Sequence, residues 1–200
     1  MSEDRKEEII ISALNLASKV GLRAVSMGMI AEEIGIKKPS LYNHFRSKEE
    51  VFEAMYNYLR KNAQKEANVA ADWDIIPPNV PANEILKFAV RKYIKMNQNE
   101  EMTKFYKVIY SERTLSKQAA EILTEETEKM IAATKKLLFA LQEKSLLCFD
   151  NLQLSATAFA LCVHGLMEFE MDKNFCDGQK FDDKMLCEYI DMFCKQNEVK

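Results

Sequence analysis

The sequence predicts an all-α fold, and three observations support that prediction. The chain of 200 residues contains only five glycines and four prolines, so the residues that tight hairpin turns need are scarce. Good helix formers are frequent, and 48% hydrophobic with 30% charged residues is typical of a folded globular chain. Apolar residues also recur three and four positions apart, which is the period of an amphipathic helix. We therefore expect about nine helices.

The first two helices are predicted from their apolar period and their end residues. The first covers residues 2–20 and is ended by Gly21; the apolar positions on one face are Ile10, Ala13, Leu14 and Ala17. Ser26 is a favoured N-cap for a second helix over residues 27–34. Gly35 ends this helix, because glycine adopts the left-handed turn without steric strain.

Two further helices follow closely. Pro39 falls in the first turn of a helix predicted over residues 38–45, where its missing N–H leaves no bond unmade. Ser47 then begins a fourth helix, and its Ser-Lys-Glu-Glu opening predicts a capping box with Glu50. The apolar face of this helix consists of Val51, Phe52, Met55 and Leu59.

The rest of the chain reads as a loop followed by five helices. The segment 73–83, WDIIPPNVPAN, contains three of the four prolines and predicts a loop. The apolar period then predicts helices near residues 82–97, 100–110, 116–144, 151–172 and 182–196.

Residues 31–51, AEEIGIKKPSLYNHFRSKEEV, have the pattern of a helix-turn-helix that reads DNA. Leu41 and Phe45 are four positions apart and are predicted on the inner face of the third helix. The exposed side of this block is then polar and basic, and the predicted DNA-binding residues are Lys37, Lys38, Ser40, Tyr42, Asn43, His44 and Lys48.

These residues divide by the DNA groups that their side chains can contact. Ser40, Tyr42 and Asn43 are predicted to read bases or to combine base and phosphate contacts. The cations and His44 are predicted mainly to position the DNA backbone: Lys37, Lys38, His44 and Lys48. Alternatively, Tyr42 and His44 pack on the fourth helix.

The charge distribution supports a local contact with nucleic acid. The net charge of −3 gives the chain no general attraction to polyanions. Between residues 37 and 48, however, four cations occur without an acid, namely Lys37, Lys38, Arg46 and Lys48.

The sequence IAEEIGIKKPSLYNHFRSKEEVF resembles the N-terminal region of TetR-type transcriptional regulators. The resemblance covers about residues 5–55, and the positions that carry it are Gly21, Ser26, Ile30-Ala31, Gly35, Ser40-Leu41-Tyr42, His44-Phe45 and Ser47-Lys48-Glu49. Three positions depart from the family pattern: Ala17 is small, Gly28 replaces a longer polar residue, and Lys37 replaces a Ser or Thr.

The resemblance implies both an architecture and a function. It implies an N-terminal helix-turn-helix DNA-binding domain, which we place at residues 1–47, and a C-terminal helical domain for effector binding and dimerisation, at residues 48–200. The function it implies is sequence-specific transcriptional regulation, as a repressor released from its operator by a small-molecule effector. The expected partners are double-stranded DNA with a palindromic operator, an unidentified effector and a second copy of the chain. No cofactor or metal is implied.

The last two helices offer apolar faces that could join two subunits. One face contains Leu154, Ala158, Leu161, Cys162 and Gly165, and the other contains Leu186, Ile190 and Phe193. Two such helices from each subunit predict a four-helix interface.

Other classes of function are less well supported. The sequence has no nucleophile elbow, glycine-rich phosphate loop or HExxH motif, which predicts that the protein is not an enzyme. A helical adaptor that recruits proteins instead of DNA remains an alternative. His164 and Glu168 could ligate a metal, but a hydrogen-bonded histidine is the favoured interpretation, and the five cysteines are predicted to be core thiols.

The location predicted for the protein is the cytoplasm. Its N-terminus carries charges where a signal peptide has an apolar region. The longest uncharged stretch in the second half, residues 151–167, is shorter than the roughly 20 residues that cross a bilayer. No membrane contact is therefore expected.

Overall fold

The computed structural model describes residues 2–70, 79–97, 100–178 and 180–199, and confirms the all-α prediction. Within these residues the structure contains no strand and nine helices. They are α1 Ser2–Val20, α2 Met27–Glu33, α3 Lys38–Tyr42, α4 Lys48–Ala70, α5 Ala82–Asn97, α6 Glu100–Glu112, α7 Lys117–Glu143, α8 Leu152–Asp177 and α9 Lys184–Gln196.

The chain divides into two compact units. Unit 1 consists of Met1–Val69 and Met96–Leu123, and unit 2 consists of Ala70–Lys95 and Thr124–Lys200. The first unit therefore includes α4 and α6 in addition to the three helices of the predicted DNA-binding domain. The functional boundary after residue 47 stays a prediction.

The core of unit 1 forms because each of its helices has one apolar side. Helix α1 packs on α2 and α6, and the α3 segment is anchored by Leu41 and Phe45. The largest side chains with almost no exposed surface are Ile9, Leu14, Ile30, Leu41, Met55, Leu59, Phe105 and Ile109. The three N-terminal helices are thus held on one hydrophobic core together with α4 and α6.

The core of unit 2 is built around α8 and α9. Helix α8 buries Phe159 and Val163, and the rings of Phe159 and Phe193 have centroids 4.6 Å apart. The prediction that this face of the last helix contacts another subunit is therefore wrong. Its face, made of Leu186, Ile190 and Phe193, is buried in the core of its own chain.

Two helix ends differ from the prediction for local reasons. Helix α3 ends at Tyr42, and residues 43–45 continue as a turn in which the Phe45 N–H donates to the Leu41 carbonyl at 3.1 Å. Helix α8 continues to Asp177, because its stop is Gly178 in the left-handed conformation, with φ of +64°. Of the predicted loop, residues 73–78 lie outside the described residues.

Helix α8 is long and apolar enough to cross a membrane by length and composition. Among the described residues it is the one such helix, with a mean hydropathy of 1.3 over its most apolar window. This is weak evidence for a membrane span, because the core helix of a soluble protein meets the same criterion. Helix α8 packs on α9 within unit 2.

Candidate nucleic-acid interface

Both ends of α2 are fixed by capping bonds. The Ser26 hydroxyl accepts a hydrogen bond from the Met29 N–H at 3.3 Å, as predicted for an N-cap. At the other end, Gly35 has a φ of +68°, and the Ile36 N–H donates to the Ala31 carbonyl at 2.9 Å. The first bond begins α2, and the second ends it and sets the direction in which the chain enters α3.

Helix α3 has a buried side and an exposed side. Leu41 is fully buried and Phe45 is 3% exposed. Tyr42 is 44% exposed, so a large part of its side chain is open to solvent. The other predicted residues with exposed side chains are Lys37, Lys38, Ser40 and Asn43, whereas His44 is half-buried.

Helix α3 begins without a side-chain cap. Lys37 occupies the N-cap position in extended conformation, with φ of −74° and ψ of 140°, and makes no capping bond with its side chain. The Lys37 carbonyl accepts the first helical bond from the Ser40 N–H at 2.8 Å. A cation therefore stands where a Ser or Thr would otherwise stabilise the helix.

Lys48 is held by its own chain. Its Nζ donates to the Arg23 carbonyl at 2.8 Å and lies 5.2 Å from the centroid of the Phe52 ring. This contact joins the start of α4 to the turn between α1 and α2. An ammonium group has three donors, so the bond to Arg23 leaves donors for a phosphate oxygen.

The acidic residues after Lys48 are directed to the start of α4. The Ser47 hydroxyl accepts from the Glu50 N–H at 3.2 Å, which confirms the first half of the predicted capping box. The Glu50 carboxylate accepts from the Arg46 N–H at 2.6 Å rather than from Ser47. The pKa of the Glu49 carboxyl is lowered by its own backbone N–H and then by Ser47.

Two cations outside the predicted DNA-binding set belong to the same region. Arg46 is exposed in the turn after α3, and it is one of the four cations that the sequence shows between residues 37 and 48. The Lys6 Nζ lies 5.7 Å from the centroid of the Phe45 ring. No sequence signal indicated Lys6, since only the fold brings α1 beside this turn.

His164 in unit 2 is hydrogen-bonded, as predicted. Its Nδ1 lies 2.8 Å from the Tyr93 hydroxyl, and its Nε2 lies 3.4 Å from a Glu168 carboxylate oxygen. In the part of the chain that the structure describes, no group of three or more His, Cys, Asp or Glu side chains is placed to hold a metal ion.

The cysteines correct one prediction. Cys194 is buried, and burial raises the pKa of its thiol to about 11. Cys148 and Cys176 are exposed, so these two are not core thiols. The reason is that Cys148 lies in the connection before α8 and Cys176 lies in its last turn.

The predicted apolar face of α8 is exposed within the chain. Leu154 is 64% exposed and Leu161 is 46% exposed. Ala158 and Gly165 on the same face are also exposed, and Cys162 is half-buried. This face is therefore available for contact with another molecule.

The helix-turn-helix region is similar in sequence to known transcriptional regulators. Residues 9–55 match the family model of bacterial regulatory proteins of the TetR family. The tetracycline repressor protein class C from Escherichia coli is 33% identical over 55 residues, which cover 28% of this chain and 25% of that protein. The sequence match is thus concentrated on the helix-turn-helix.

Two other proteins extend the similarity beyond that region. An uncharacterized HTH-type transcriptional regulator, YhgD from Bacillus subtilis (strain 168), is 24% identical over 66% of this chain and 65% of its own length. The matches to both curated relatives span less than two thirds of their lengths. A TetR-family transcriptional regulator from Marinobacter aquaeolei VT8 shares the fold, with a TM-score of 0.64 and 18% identity over 97% of this chain and 91% of that one.

The family model thus matches the helix-turn-helix, and the solved structure shows the same fold over nearly the whole chain. Residues 9–55 therefore carry the helix-turn-helix of the TetR family of bacterial regulatory proteins.

Proposed function

We propose that this protein is a cytoplasmic, sequence-specific repressor that a small-molecule effector releases from its operator. The observation that carries the proposal is the two-sided α3 segment. Leu41 and Phe45 anchor it in the core, while its polar residues face outward among several cations. The match of the helix-turn-helix to a protein named as a repressor supports the direction of regulation.

The outward residues would have separate roles on DNA. Ser40, Tyr42 and Asn43 would contact base edges or combine base and phosphate contacts in the major groove. Lys37, Lys38, His44 and Lys48 would mainly position the phosphate backbone.

The active form would be a homodimer on a palindromic operator. The exposed apolar face of α8 would contact the same face of a second copy, which removes it from water. Two recognition helices would then lie about 34–36 Å apart, one turn of B-DNA.

Release from DNA would depend on differential affinity. An effector that binds better to a dimer with wrongly spaced recognition helices would shift the population to that state. We place the effector site within residues 48–200, and we assign no cofactor or metal to it.

The test begins with selection of bound duplexes from a random pool, followed by footprinting of the enriched sequence. We expect a palindrome, and affinity that falls about 10³-fold or more between roughly 50 and 200 mM salt if 6–10 phosphates are contacted. Metabolites are then screened for loss of binding. Failure to enrich any sequence would contradict repression and would favour the adaptor alternative.

Residue roles are tested on the selected duplex. Lys48→Ala should weaken binding to all duplexes alike, whereas Asn43→Ala should change the preference between them. Unchanged binding by Lys48→Ala would contradict its assigned role.

A further inference from the structure

We infer that Lys6, on the first turns of α1, is an additional contact for the phosphate backbone of DNA. The inference rests on the proposed function and extends the DNA surface beyond residues 37–48. It follows from the position of the Lys6 ammonium beside the end of the recognition segment.

The fold brings Lys6 to this surface although it is distant in sequence. Its Nζ lies 5.7 Å from the centroid of the Phe45 ring, and Phe45 directly follows His44. Phe45 is 3% exposed and anchors the segment in the core. Because a buried ring has little freedom to move, the Lys6 stem has a fixed surface to lie on, and its exposed ammonium stays near the turn.

The neighbouring acids have other partners. The Glu7 carboxylate accepts a hydrogen bond from the Tyr58 hydroxyl on α4 at 2.7 Å. Glu8 forms an ion pair and a hydrogen bond with Arg5. These acids are thus engaged within the chain, and neither contact involves Lys6.

The placement of charge also favours a polyanion. Exposed Lys37 and Lys38 are at the N-terminal end of α3, and exposed Arg46 follows its C-terminal turn. Lys6 adds a cation beside that C-terminal turn, so cations flank the polar residues of α3 at both ends. Phosphates on either side of a groove would meet this arrangement, since backbone contacts position a helix that reads bases between them.

The experiment compares Lys6→Met with Lys6→Arg on the selected duplex. Methionine keeps much of the apolar stem but removes the charge, and arginine keeps the charge. Binding is followed by fluorescence anisotropy of a labelled duplex over a series of KCl concentrations, and thermal unfolding shows whether each variant remains folded.

Unit 2 provides a matched control in Lys92→Met. The Lys92 Nζ lies 5.3 Å from the centroid of the Phe88 ring, so this variant removes the same charge and the same type of ring contact. Lys92 is on α5, outside the predicted DNA-binding domain.

We expect Lys6→Met to weaken binding on the order of fivefold at about 100 mM salt and to reduce the salt slope by about one per bound subunit. The loss should be the same for selected and random duplexes. Lys6→Arg and Lys92→Met should both retain the wild-type slope. An unchanged slope in folded Lys6→Met, or an equal reduction in Lys92→Met, overturns the inference. Neither result affects the proposed function, which depends on wild-type selectivity for the duplex.

Discussion

Helix α3 in unit 1 and helix α8 in unit 2 differ in what they leave exposed. Helix α3 buries Leu41 and exposes polar and basic side chains. Helix α8 buries Phe159 and Val163 on one side but exposes Leu154 and Leu161 on the other. A polar and cationic surface suits a hydrated polyanion, whereas an exposed apolar surface suits another protein surface. The two units therefore present surfaces that suit different kinds of partner.

The largest expected effect comes from removing the anchor of the α3 segment. Phe45 is 3% exposed, so Phe45→Ala should lower the free energy of unfolding of unit 1 by about 3–4 kcal/mol and abolish DNA binding. Phe88 is 57% exposed, and Phe88→Ala should change the free energy of unfolding by about 0.5 kcal/mol or less. Urea unfolding measures both; equal losses would show that burial does not distinguish these phenylalanines.

The second effect tests the exposed side of α8. Leu161→Glu should weaken dimerisation roughly 30-fold or more, because it places a charge on an apolar contact surface. The fold should survive, since Leu161 is 46% exposed in the single chain. Leu115, 60% exposed between α6 and α7, provides the control Leu115→Glu, which should leave dimerisation unchanged. Analytical ultracentrifugation measures both, and an unaffected dimer in Leu161→Glu would place the subunit contact elsewhere.

The two units also differ in how much of their structure could be predicted from the sequence. In unit 1, local chemistry determines the helix ends: Ser26 caps α2, Ser47 caps α4, and Gly35 adopts a positive φ. Short-range capping rules therefore predict where the helices of the helix-turn-helix begin and end. The spacing of Leu41 and Phe45 predicts which side of α3 is exposed. They could not place Lys6, because its approach to Phe45 depends on tertiary packing.

In unit 2 the sequence was ambiguous about which apolar face meets which partner. An apolar stripe has the same spacing whether it packs within the chain or between chains. Ile190 and Phe193 were assigned to the subunit contact but lie in the core, while Leu154 on α8 is exposed. The spacing of apolar residues identifies the apolar face of a helix. Only the fold shows whether another helix of the same chain already covers that face.

A smaller expected effect is that the two units lose stability at different pH values. Burial raises the pKa of Cys194 in unit 2 from 9.0 to about 11, and that of Tyr56 in unit 1 from 10.0 to about 12. In each case the folded chain favours the neutral acid. The stabilisation that comes from this raised pKa is fully present below the pKa of the group in the unfolded chain. It is lost as the pH rises through the pKa of the group in the folded chain. The free energy of unfolding of unit 2 should therefore begin to fall at a lower pH than that of unit 1. The loss in unit 2 should be about 1 kcal/mol near pH 10.

The variant Cys194→Ala isolates this contribution. Urea unfolding of the wild type and the variant at pH 8 and pH 10 gives a double difference in which other titrating groups cancel. We expect the variant to lose less stability between the two pH values. An equal loss in both proteins would show that Cys194 titrates with an ordinary pKa in the folded chain.

The smallest effect concerns Lys37, where stability and DNA affinity should change in opposite directions. Lys37 is an N-cap without a side-chain bond, so Lys37→Ser should stabilise unit 1 by about 0.5–1 kcal/mol. The same change removes a predicted phosphate contact and should reduce the salt slope of DNA binding by about one per subunit. Lys38→Ala is the control, because it removes a cation without supplying a cap. If Lys37→Ser raised both stability and affinity, a better-ordered α3 would outweigh the lost charge, and Lys37 would not be a phosphate contact.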